Sequence, residues 1–395
     1  MFAIRGSAAG SWQGTDLRAI SVARNTSGFS VATHSTIRMR SKLWATLARD
    51  AIRFIEKYQK KDTGEIFHEL SQSAGLINWF KDYPYAYGHT DVSAMYLVAF
   101  RNLYRASGDI DFVRSSWDSI KAAYRYLVTR VDPSDGLVTI PAGGWGGDET
   151  VSQQVAKDVY LESVWVAGAE ALKGLANLVG DRELAGDAHG RAEKARASLA
   201  AKIWNTRRDF FFYGFNGKGE LLTQELSQPN WGTWMGVFDE EKSDLALDNM
   251  AHARWEADWG TRSVSSGDPL YIGDSYGHGS VWPLGTGIQA LAFYSHHRPL
   301  AAFPLWHTLV EQSFLNSLGH VPEVSRATFI ASSTSACLSR SGPRASSLRR
   351  YCVAYSAWSP TRTALSSTGR RTCRPVGPVS RSRICKSGAP RWPSK

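Results

Sequence analysis

Residues 161–181, LESVWVAGAEALKGLANLVGD, carry apolar residues at intervals of three and four and end on Gly-Asp. This spacing places the apolar side chains on one face of an α-helix. A glycine relaxes the end of a helix, and an aspartate can cap the start of the next one. The pair Gly180-Asp181 therefore predicts a tight turn, and the whole stretch predicts a helical hairpin.

The same arrangement occurs earlier in the chain. Residues 92–109, VSAMYLVAFRNLYRASGD, have apolar positions at helical spacing and end on Gly108-Asp109, after which a second stripe runs from Phe112 to Leu127. Two hairpins with the same turn predict a repeated unit. Further helices are predicted near 184–204, 241–256, 280–296 and 300–318, with a β-hairpin at 210–222 that turns at Asn216-Gly217. The predicted fold class is all-α.

The basic charge lies at one end of the sequence. Residues 326–395 hold twelve Arg, two Lys and no Asp or Glu, whereas the first 325 residues carry 32 basic and 36 acidic side chains. The net charge of +10 therefore belongs to the tail, and it lacks the interleaved aromatics of a nucleic-acid-binding segment. No specific nucleic-acid partner is expected.

Composition predicts three segments. Residues 1–42 are expected to be irregular, and residues 43–325 to form a helical-hairpin catalytic domain. Residues 326–395 are expected to be either a disordered basic tail or the product of a shifted reading frame. This tail also holds all of the cysteines, at spacings that match neither a paired zinc motif nor a compact disulfide framework: Cys337, Cys352, Cys373 and Cys385.

Membrane and targeting signals are weak in this sequence. It has no run of about 18 apolar residues that could span a bilayer. Its first residues, MFAIRGSAAGSWQGTD, are too broken by polar positions to resemble a signal peptide. We expect a cytoplasmic protein without a membrane partner, and the oligomeric state stays open.

Several standard catalytic motifs are missing from the sequence. GGWGGD (143–148) has no Lys-Ser/Thr of a phosphate loop, and His68-Glu69 is followed by Gln72 where a zinc helix needs a second histidine. No Gly-x-Ser-x-Gly elbow occurs. We expect neither a metal nor a cofactor. Carboxylates among aromatic residues remain, and this combination favours a carbohydrate substrate, because rings stack on sugar faces while acids act on the glycosidic oxygen.

A series of motifs resembles a known family. In chain order the motifs are GEIFHEL (64–70), YAYGHTDVSAMYL (85–97), SGDIDFVRSSW (107–117), GGWGGDE (143–149), YGHGSVWP (276–283) and HVPEV (320–324). Together they resemble the amylo-α-1,6-glucosidase, or glycogen-debranching, type of six-hairpin glycosidase over residues 43–325. The resemblance implies an (α/α)6 barrel, here incomplete at both ends, and hydrolysis of α-glucosidic linkages with inversion at the anomeric carbon.

The resemblance also implies roles for individual residues. Asp148 would be the general acid, with Glu149 as the second choice, and Glu323 would be the general base. The glycines of 143–147 would let the backbone pass close to the sugar, beside a wall formed by Trp145. The remaining candidates are substrate-binding residues: His68, Glu69, Asp91, Trp231, Tyr276, His278 and Trp282.

Each role has a structural alternative. Asp148 or Glu149 could cap a helix that begins near residue 150, and Asp91 could be the N-cap of its own helix. Glu323 could be a solvated loop acid, and His68 and Glu69 could lie in a plain surface loop. A tryptophan at helical spacing, such as Trp231, is more often part of the core.

At the level of function, the alternatives are an inactive or carbohydrate-binding remnant of a six-hairpin glycosidase and a related enzyme acting on trehalose, rhamnosides or mannosylglycerate.

Overall fold

The helices pack in pairs, with one helix of each pair inside and the other outside. The computed structural model describes residues 42–70, 81, 86–141, 155–315, 318–319 and 321–327. Its helices are α1 (Lys42–Lys57), α2 (Thr90–Ser107), α3 (Ile110–Ser115), α4 (Trp117–Val128), α5 (Val159–Val179), α6 (Arg182–Lys202), α7 (Asn230–Met235), α8 (Glu240–Met250), α9 (Pro283–Ser295) and α10 (Pro299–Leu315). Its strands are β1 (Val155–Asp158), β2 (Trp204–Asn205), β3 (Phe210–Phe211), β4 (Gly214–Asn216), β5 (Leu221–Leu222), β6 (Glu256–Ala257) and β7 (Gly260–Thr261).

Burial separates the inner helices from the outer ones. Fifteen of the 21 residues of α5 are buried, as expected for a helix that is apolar on most of its circumference. Helix α6 has the same length but buries a single stripe at helical spacing: Ala185, Ala188, Ala192, Ala195 and Leu199. Helix α5 is therefore an inner helix, and α6 covers it from outside.

The inner helices form a continuous row. Helix α2 packs on α5, α5 on α7, and α7 on α9, while α1 and α4 pack on α2, α6 on α5, and α10 on α9. The first turns of α2, α5 and α7 lie together, since Tyr160 contacts both Asp91 and Trp231. Backbone bridges Leu226–Val264 and Arg262–Val281 connect the segments that precede α7 and α9. This is the arrangement of an all-α, (α/α)6-barrel type of fold, as predicted. It brings the N-terminal ends of the inner helices to one end of the protein.

Both predicted Gly-Asp turns are confirmed. Gly108 ends α2 with φ of 70°, and Gly180 ends α5 with φ of 88°, a left-handed conformation that glycine adopts without strain. The aspartate that follows each glycine accepts a hydrogen bond from a backbone N–H of the next helix. Asp109 accepts from Phe112 and Asp181 from Leu184. The same two residues thus end one helix and cap the next.

The β-hairpin predicted at 210–222 exists over residues 214–222, whereas Phe210 and Phe211 form β3, which pairs with β2. Strands β4 and β5 are antiparallel, and Gly219 N donates to Asn216 O at 3.0 Å in the turn between them. Strand β1 pairs with the other edge of β4 to complete a three-stranded sheet. Because β1 ends at Asp158, the sheet sets the position at which α5 begins.

The predicted helix bounds differ by a few residues from the observed ones. The largest difference is at α8, which ends at Met250 rather than 256. The residues after Met250 form turns and strand β6 instead. In the part of the chain that the structure describes, no helix combines the length and apolar character needed to cross a membrane.

Candidate active site

Glu323 lies in a segment that is fixed by backbone hydrogen bonds. Ser325 and Val281 exchange two backbone hydrogen bonds of 2.8 Å, and Ala327 N donates to Gly273 O at 3.0 Å. The Tyr276 hydroxyl donates to Glu323 Oε1 at 3.0 Å. The candidate general base is therefore half-buried and oriented by a neighbouring side chain, unlike a solvated loop acid.

Tyr276 and Trp282 form an aromatic pair beside Glu323. Their ring centroids are 4.6 Å apart with an interplanar angle of 72°, and Trp282 Nε1 donates to the Tyr276 carbonyl at 2.9 Å. Trp282 is also the N-cap residue of α9. The pair and Glu323 thus lie at the N-terminal end of an inner helix.

Gly279 allows a tight turn in the loop that precedes α9. Gly279 has φ of 143°, and a Cβ atom there would lie 2.5 Å from the Tyr271 ring. The neighbouring His278 does not point away from the loop, since its Nδ1 atom forms a 3.0 Å hydrogen bond with Ser275 Oγ. His278 therefore stabilises the loop that carries Tyr276.

Asp91 forms the second candidate group, at the N-terminal end of α2. It is 8% exposed, and its Oδ2 atom accepts a 3.0 Å hydrogen bond from the Tyr160 hydroxyl. His89 Nδ1 lies 3.8 Å from Asp91 Oδ1. The N-cap of α2 is His89, without a side-chain capping bond, and Asp91 lies in the first turn. The alternative in which Asp91 is the N-cap is wrong.

His68 and Glu69 lie next to this group. The His68 ring stacks on the His89 ring with centroids 3.6 Å apart and an interplanar angle of 10°, and His68 N donates to Ala86 O at 2.7 Å. His68 and Glu69 are both half-buried. The segment 64–70 is therefore packed against the start of α2, rather than forming a plain surface loop.

Trp231 belongs mainly to the core. It is 6% exposed, meets the Tyr160 ring edge-on with centroids 4.9 Å apart, and contacts Trp234 in the same way at 5.9 Å. Its role as a sugar-binding wall stays a prediction. In the structure, Trp231 lies in the first turn of α7 and packs against Tyr160.

Asp148, Glu149 and Trp145 lie outside the described residues, but both flanks of their segment are described. Ile140 N donates to Ala156 O at 2.8 Å. Helix α5 begins at Val159, where Asp158 is the N-cap and accepts a 2.5 Å hydrogen bond from Leu161 N. Helix α5 thus has its own cap in Asp158, and the helix start expected near residue 150 lies outside the described residues.

Two interactions hold the N-terminal flank of this segment against α5. Glu162 Oε2 accepts a 3.0 Å hydrogen bond from Val138 N, and Trp165 Nε1 donates to Gly136 O at 3.2 Å. Glu162 is 1% exposed, and burial raises the pKa of its carboxyl well above the ordinary value, although the bond from Val138 lowers it. Its neighbourhood favours the neutral acid.

Lys157 links the two flanks to each other. Its ammonium lies 2.8 Å from Asp132 Oδ2 and 3.0 Å from Asp135 Oδ2. Hydrogen bonds from Lys157 and Ser134 lower the pKa of Asp132, and the two aspartates raise the pKa of Lys157 against the effect of its burial. The segment that holds the candidate acids is therefore flanked by residues 131–141 and 155–158, and Lys157 ties these two flanks together.

Three residues of this region are absent from the site predicted from the sequence. They are His89, Tyr160 and Glu65, a carboxylate 5% exposed that accepts hydrogen bonds from Gly88 N at 2.8 Å and from Tyr126 Oη at 3.0 Å. Burial and the nearby Glu65 raise the pKa of Tyr126 to about 12. His89 and Glu65 lie within the motifs that resemble the family, whereas Tyr160 precedes its helical stripe and gives no periodic signal.

One cluster of possible metal ligands occurs among the described residues, on the outer surface. Glu170, His189 and Glu193 lie close enough to share an ion. However, Lys173 Nζ is 3.2 Å from Glu170 Oε2 and 3.1 Å from His189 Nδ1. The lysine already supplies the positive charge there, so the cluster is an ion-pair network.

The two candidate groups lie at the same end of the row of inner helices. Asp91, Tyr160 and Trp231 are in the first turns of α2, α5 and α7, and Trp282 caps α9, which packs on α7. This end combines oriented carboxylates with aromatic rings, which is the chemistry that glycoside hydrolysis requires.

Comparison with known proteins gives the family. The sequence model of the mannosylglycerate hydrolase MGH1-like glycoside hydrolase domain matches residues 32–323, most of the chain. The chain belongs to this MGH1-like family. The predicted six-hairpin glycosidase is thereby confirmed, and a glycoside hydrolase domain implies a carbohydrate substrate. The narrower amylo-α-1,6-glucosidase or glycogen-debranching type is not supported, and none of the curated proteins matches the chain.

Solved structures agree on the fold. The GH63 mannosylglycerate hydrolase from Thermus thermophilus in complex with glucose has a TM-score of 0.57 and 16% identity, over 73% of this chain and 84% of its own. Its complex with Tris and D-glycerate has the same TM-score and identity, over 79% and 96%. A GH78 family rhamnosidase of Bacillus sp. GL1 has a TM-score of 0.53 and 12% identity, over 76% and 30%.

Proposed function

We propose that this MGH1-like chain hydrolyses a terminal α-linked hexose by inverting acid–base catalysis. Glu323 would be the general base that activates water, and Asp148 the general acid that protonates the leaving oxygen, with Glu149 as the second choice for the acid. The observation that carries the proposal is the orientation of Glu323 by the Tyr276 hydroxyl at 3.0 Å, at the N-terminal end of an inner helix.

The described side chains fit distinct parts of such a reaction. A general base must hold its carboxylate in a fixed orientation toward water, and here Tyr276 holds Glu323 through Oε1. Tyr276 and Trp282 offer an aromatic surface next to the base, suited to the apolar face of a sugar. Asp91 would accept hydrogen bonds from sugar hydroxyls, with His68 and Glu69 nearby.

The substrate we favour is a hexose joined to a small acceptor such as glycerate. The family is named after mannosylglycerate hydrolase, and a structural neighbour is described in complex with D-glycerate. An α-glucosidic linkage of a glucan or oligosaccharide is the alternative that the motif resemblance favours. The two substrate classes differ in their acceptor, so the region beyond the scissile oxygen would distinguish them.

A substrate panel with anomeric detection tests the proposal. The full chain would be incubated with mannosylglycerate, glucosylglycerate, isomaltose, panose and trehalose, and the released sugar followed by proton NMR. Release of the β-anomer from an α-linked substrate is expected, since inverting enzymes place water opposite the leaving group, with carboxyls roughly 6.5–9.5 Å apart. Release of the α-anomer from mannosylglycerate or glucosylglycerate, whose leaving group has no anomeric carbon, would overturn the mechanism. Sugar binding without turnover would identify the carbohydrate-binding alternative.

A further inference from the structure

Tyr160 connects two inner helices at the candidate site. It lies in the first turn of α5, is 8% exposed, and its hydroxyl donates to Asp91 Oδ2 at 3.0 Å. The two residues belong to adjacent inner helices, so this hydrogen bond connects α2 and α5 at the end where the candidate groups lie.

A third inner helix holds the Tyr160 ring in place. Trp231 of α7 meets this ring at an interplanar angle of 75° with centroids 4.9 Å apart, which is a favourable edge-to-face contact. Because Trp231 is itself 6% exposed and packed against Trp234, the ring of Tyr160 has little freedom to turn. The hydroxyl position is therefore set by the packing of α5 and α7.

The position of the hydroxyl determines the plane of the Asp91 carboxyl. The terminal torsion of an aspartate is broad, so its two oxygens are interchangeable unless a partner selects one. Here the hydrogen bond from Tyr160 engages Oδ2, and Oδ1 is directed toward His89, whose Nδ1 lies 3.8 Å away.

We propose that Tyr160 is a positioning residue for sugar binding, which fixes the Asp91 carboxyl in the orientation in which it contacts a sugar hydroxyl. This inference rests on the proposed function and on the role of Asp91 within it. Burial and the nearby Asp91 also raise the pKa of the Tyr160 hydroxyl well above its ordinary value. The tyrosine is thus a constant donor, and its positioning effect does not change with pH across the neutral range.

The chain provides a matched control for removal of this hydroxyl. Tyr124 is 2% exposed, its hydroxyl donates to Asp187 Oδ2 at 2.7 Å, and its ring stacks on Trp165 with centroids 5.9 Å apart. This pair joins the outer helices α4 and α6 instead of two inner ones. Tyr160→Phe and Tyr124→Phe therefore remove the same kind of bond, with an aromatic neighbour, at two different places.

Steady-state kinetics on the best substrate of the panel test the inference. Tyr160→Phe is expected to raise KM about tenfold with kcat changed far less, since a hydrogen bond to a charged group is lost and ground-state binding weakens. Tyr124→Phe is expected to leave both constants unchanged while lowering the melting temperature. Equal kinetic constants for wild type and Tyr160→Phe would overturn the proposal.

A double-mutant cycle shows whether Tyr160 acts through Asp91. In an Asp91→Ala background, Tyr160→Phe is expected to have no further effect on KM, because the group that it positions is gone. If Asp91→Ala does not fold, Asp91→Ser serves as the second background. Independent, multiplicative effects of the two substitutions would contradict a positioning role.

A binding measurement distinguishes failure of this inference from failure of the proposed function. If wild type hydrolyses none of the glycosides, the proposed function fails, and calorimetric titration with glucose and 1-deoxynojirimycin then decides the role of Tyr160. Weaker binding of either probe by Tyr160→Phe, but not by Tyr124→Phe, would support it. Equal binding by both variants, or no binding by wild type, would overturn it.

Discussion

Two regions of the protein differ from the usual pattern, in which polar side chains are exposed and apolar ones are buried. They are the N-terminal ends of the inner helices and the outer face of α10, and they differ from it in opposite ways. At the helix ends, polar side chains are buried: Glu65, His89 and Asp91 are 3–8% exposed. Along α10, large apolar side chains face outward and are 37–90% exposed: Leu300, Phe303, Trp306, Val310 and Phe314.

The difference shows which departure carries a chemical function. Burying polar groups costs free energy unless partners compensate for lost water, and here Tyr126, Tyr160 and the Gly88 N–H donate to the carboxylates. Such arrangements are typical of sites that must present oriented charges. The face of α10 has almost no charge, with Glu311 as the single acid between 299 and 322. It offers apolar area without a polar group that could act on a substrate.

The largest effect is expected from Glu323→Gln. Loss of a general base lowers the rate of the chemical step by roughly 10²–10⁴-fold, while sugar binding remains. Comparison of kcat with wild type and titration with glucose would measure the two parts. Glu311→Gln on α10 is the matched control and should retain full activity. Full activity of Glu323→Gln would remove this residue from the mechanism.

A smaller effect is expected from Gly279→Ala. The added Cβ would meet the Tyr271 ring at 2.5 Å, at a φ of 143° that L-residues rarely adopt. Strain of this kind costs roughly 1–3 kcal/mol, so the free energy of unfolding should fall by about that amount and activity should drop as Tyr276 shifts.

The control for this substitution is Gly217→Ala in the β-hairpin, where a Cβ would meet no atom within 4 Å. Denaturant unfolding of both variants would measure the difference. Equal stability of Gly279→Ala and wild type would show that the loop carrying Tyr276 does not depend on this glycine.

Glu162→Gln is expected to change the pH dependence of stability. Because burial raises the folded-state pKa of Glu162, the folded chain keeps this proton to a higher pH than the unfolded chain. The contribution of the carboxyl to stability is therefore complete below its ordinary pKa of 4.5 and is lost as pH rises above that value toward the folded-state pKa. Glutamine does not ionise, so the melting temperature of the variant should rise relative to wild type between pH 4 and pH 8.

Glu220→Gln, at an exposed position of the β-hairpin, is the control for this pH series. A difference between Glu162→Gln and wild type that stays constant with pH would show that Glu162 titrates in the folded protein as it does in the unfolded chain.

The smallest effect on activity is expected from substitutions on the outer face of α10. Replacing Phe303, Trp306 and Phe314 with glutamine removes exposed apolar area, and apolar patches of this kind promote association. Light scattering at increasing protein concentration should show less self-association, with kcat and KM unchanged. A loss of activity in this triple variant would mean that the outer face of α10 supports the site after all.

The sequence predicted the architecture well where local rules decide it. The turns at Gly108 and Gly180 follow from the backbone preference of glycine and the capping chemistry of aspartate, and both are present. The end of α8 could not be predicted, because Trp255 beyond it is buried against Phe210, a residue far away along the chain.

The candidate site could be predicted only in part. Its motifs marked Asp91 and Glu323, but their partners Tyr160 and Tyr276 lie 69 and 47 residues away along the chain. Such partners depend on tertiary packing, which neither composition nor periodicity reveals. The roles of Asp148, Glu149 and Trp145 stay predictions, since these residues lie outside the described part of the chain.

A crystal structure of the Glu323→Gln variant with a bound substrate tests the central claim most directly, because it shows where the sugar lies. We predict a sugar at the N-terminal ends of the inner helices, with a hydroxyl bonded to the Asp91 carboxyl and a ring face against Tyr276 or Trp282. A sugar bound elsewhere, with the Asp91 carboxyl still held by Tyr160 but contacting no ligand atom, would contradict the account.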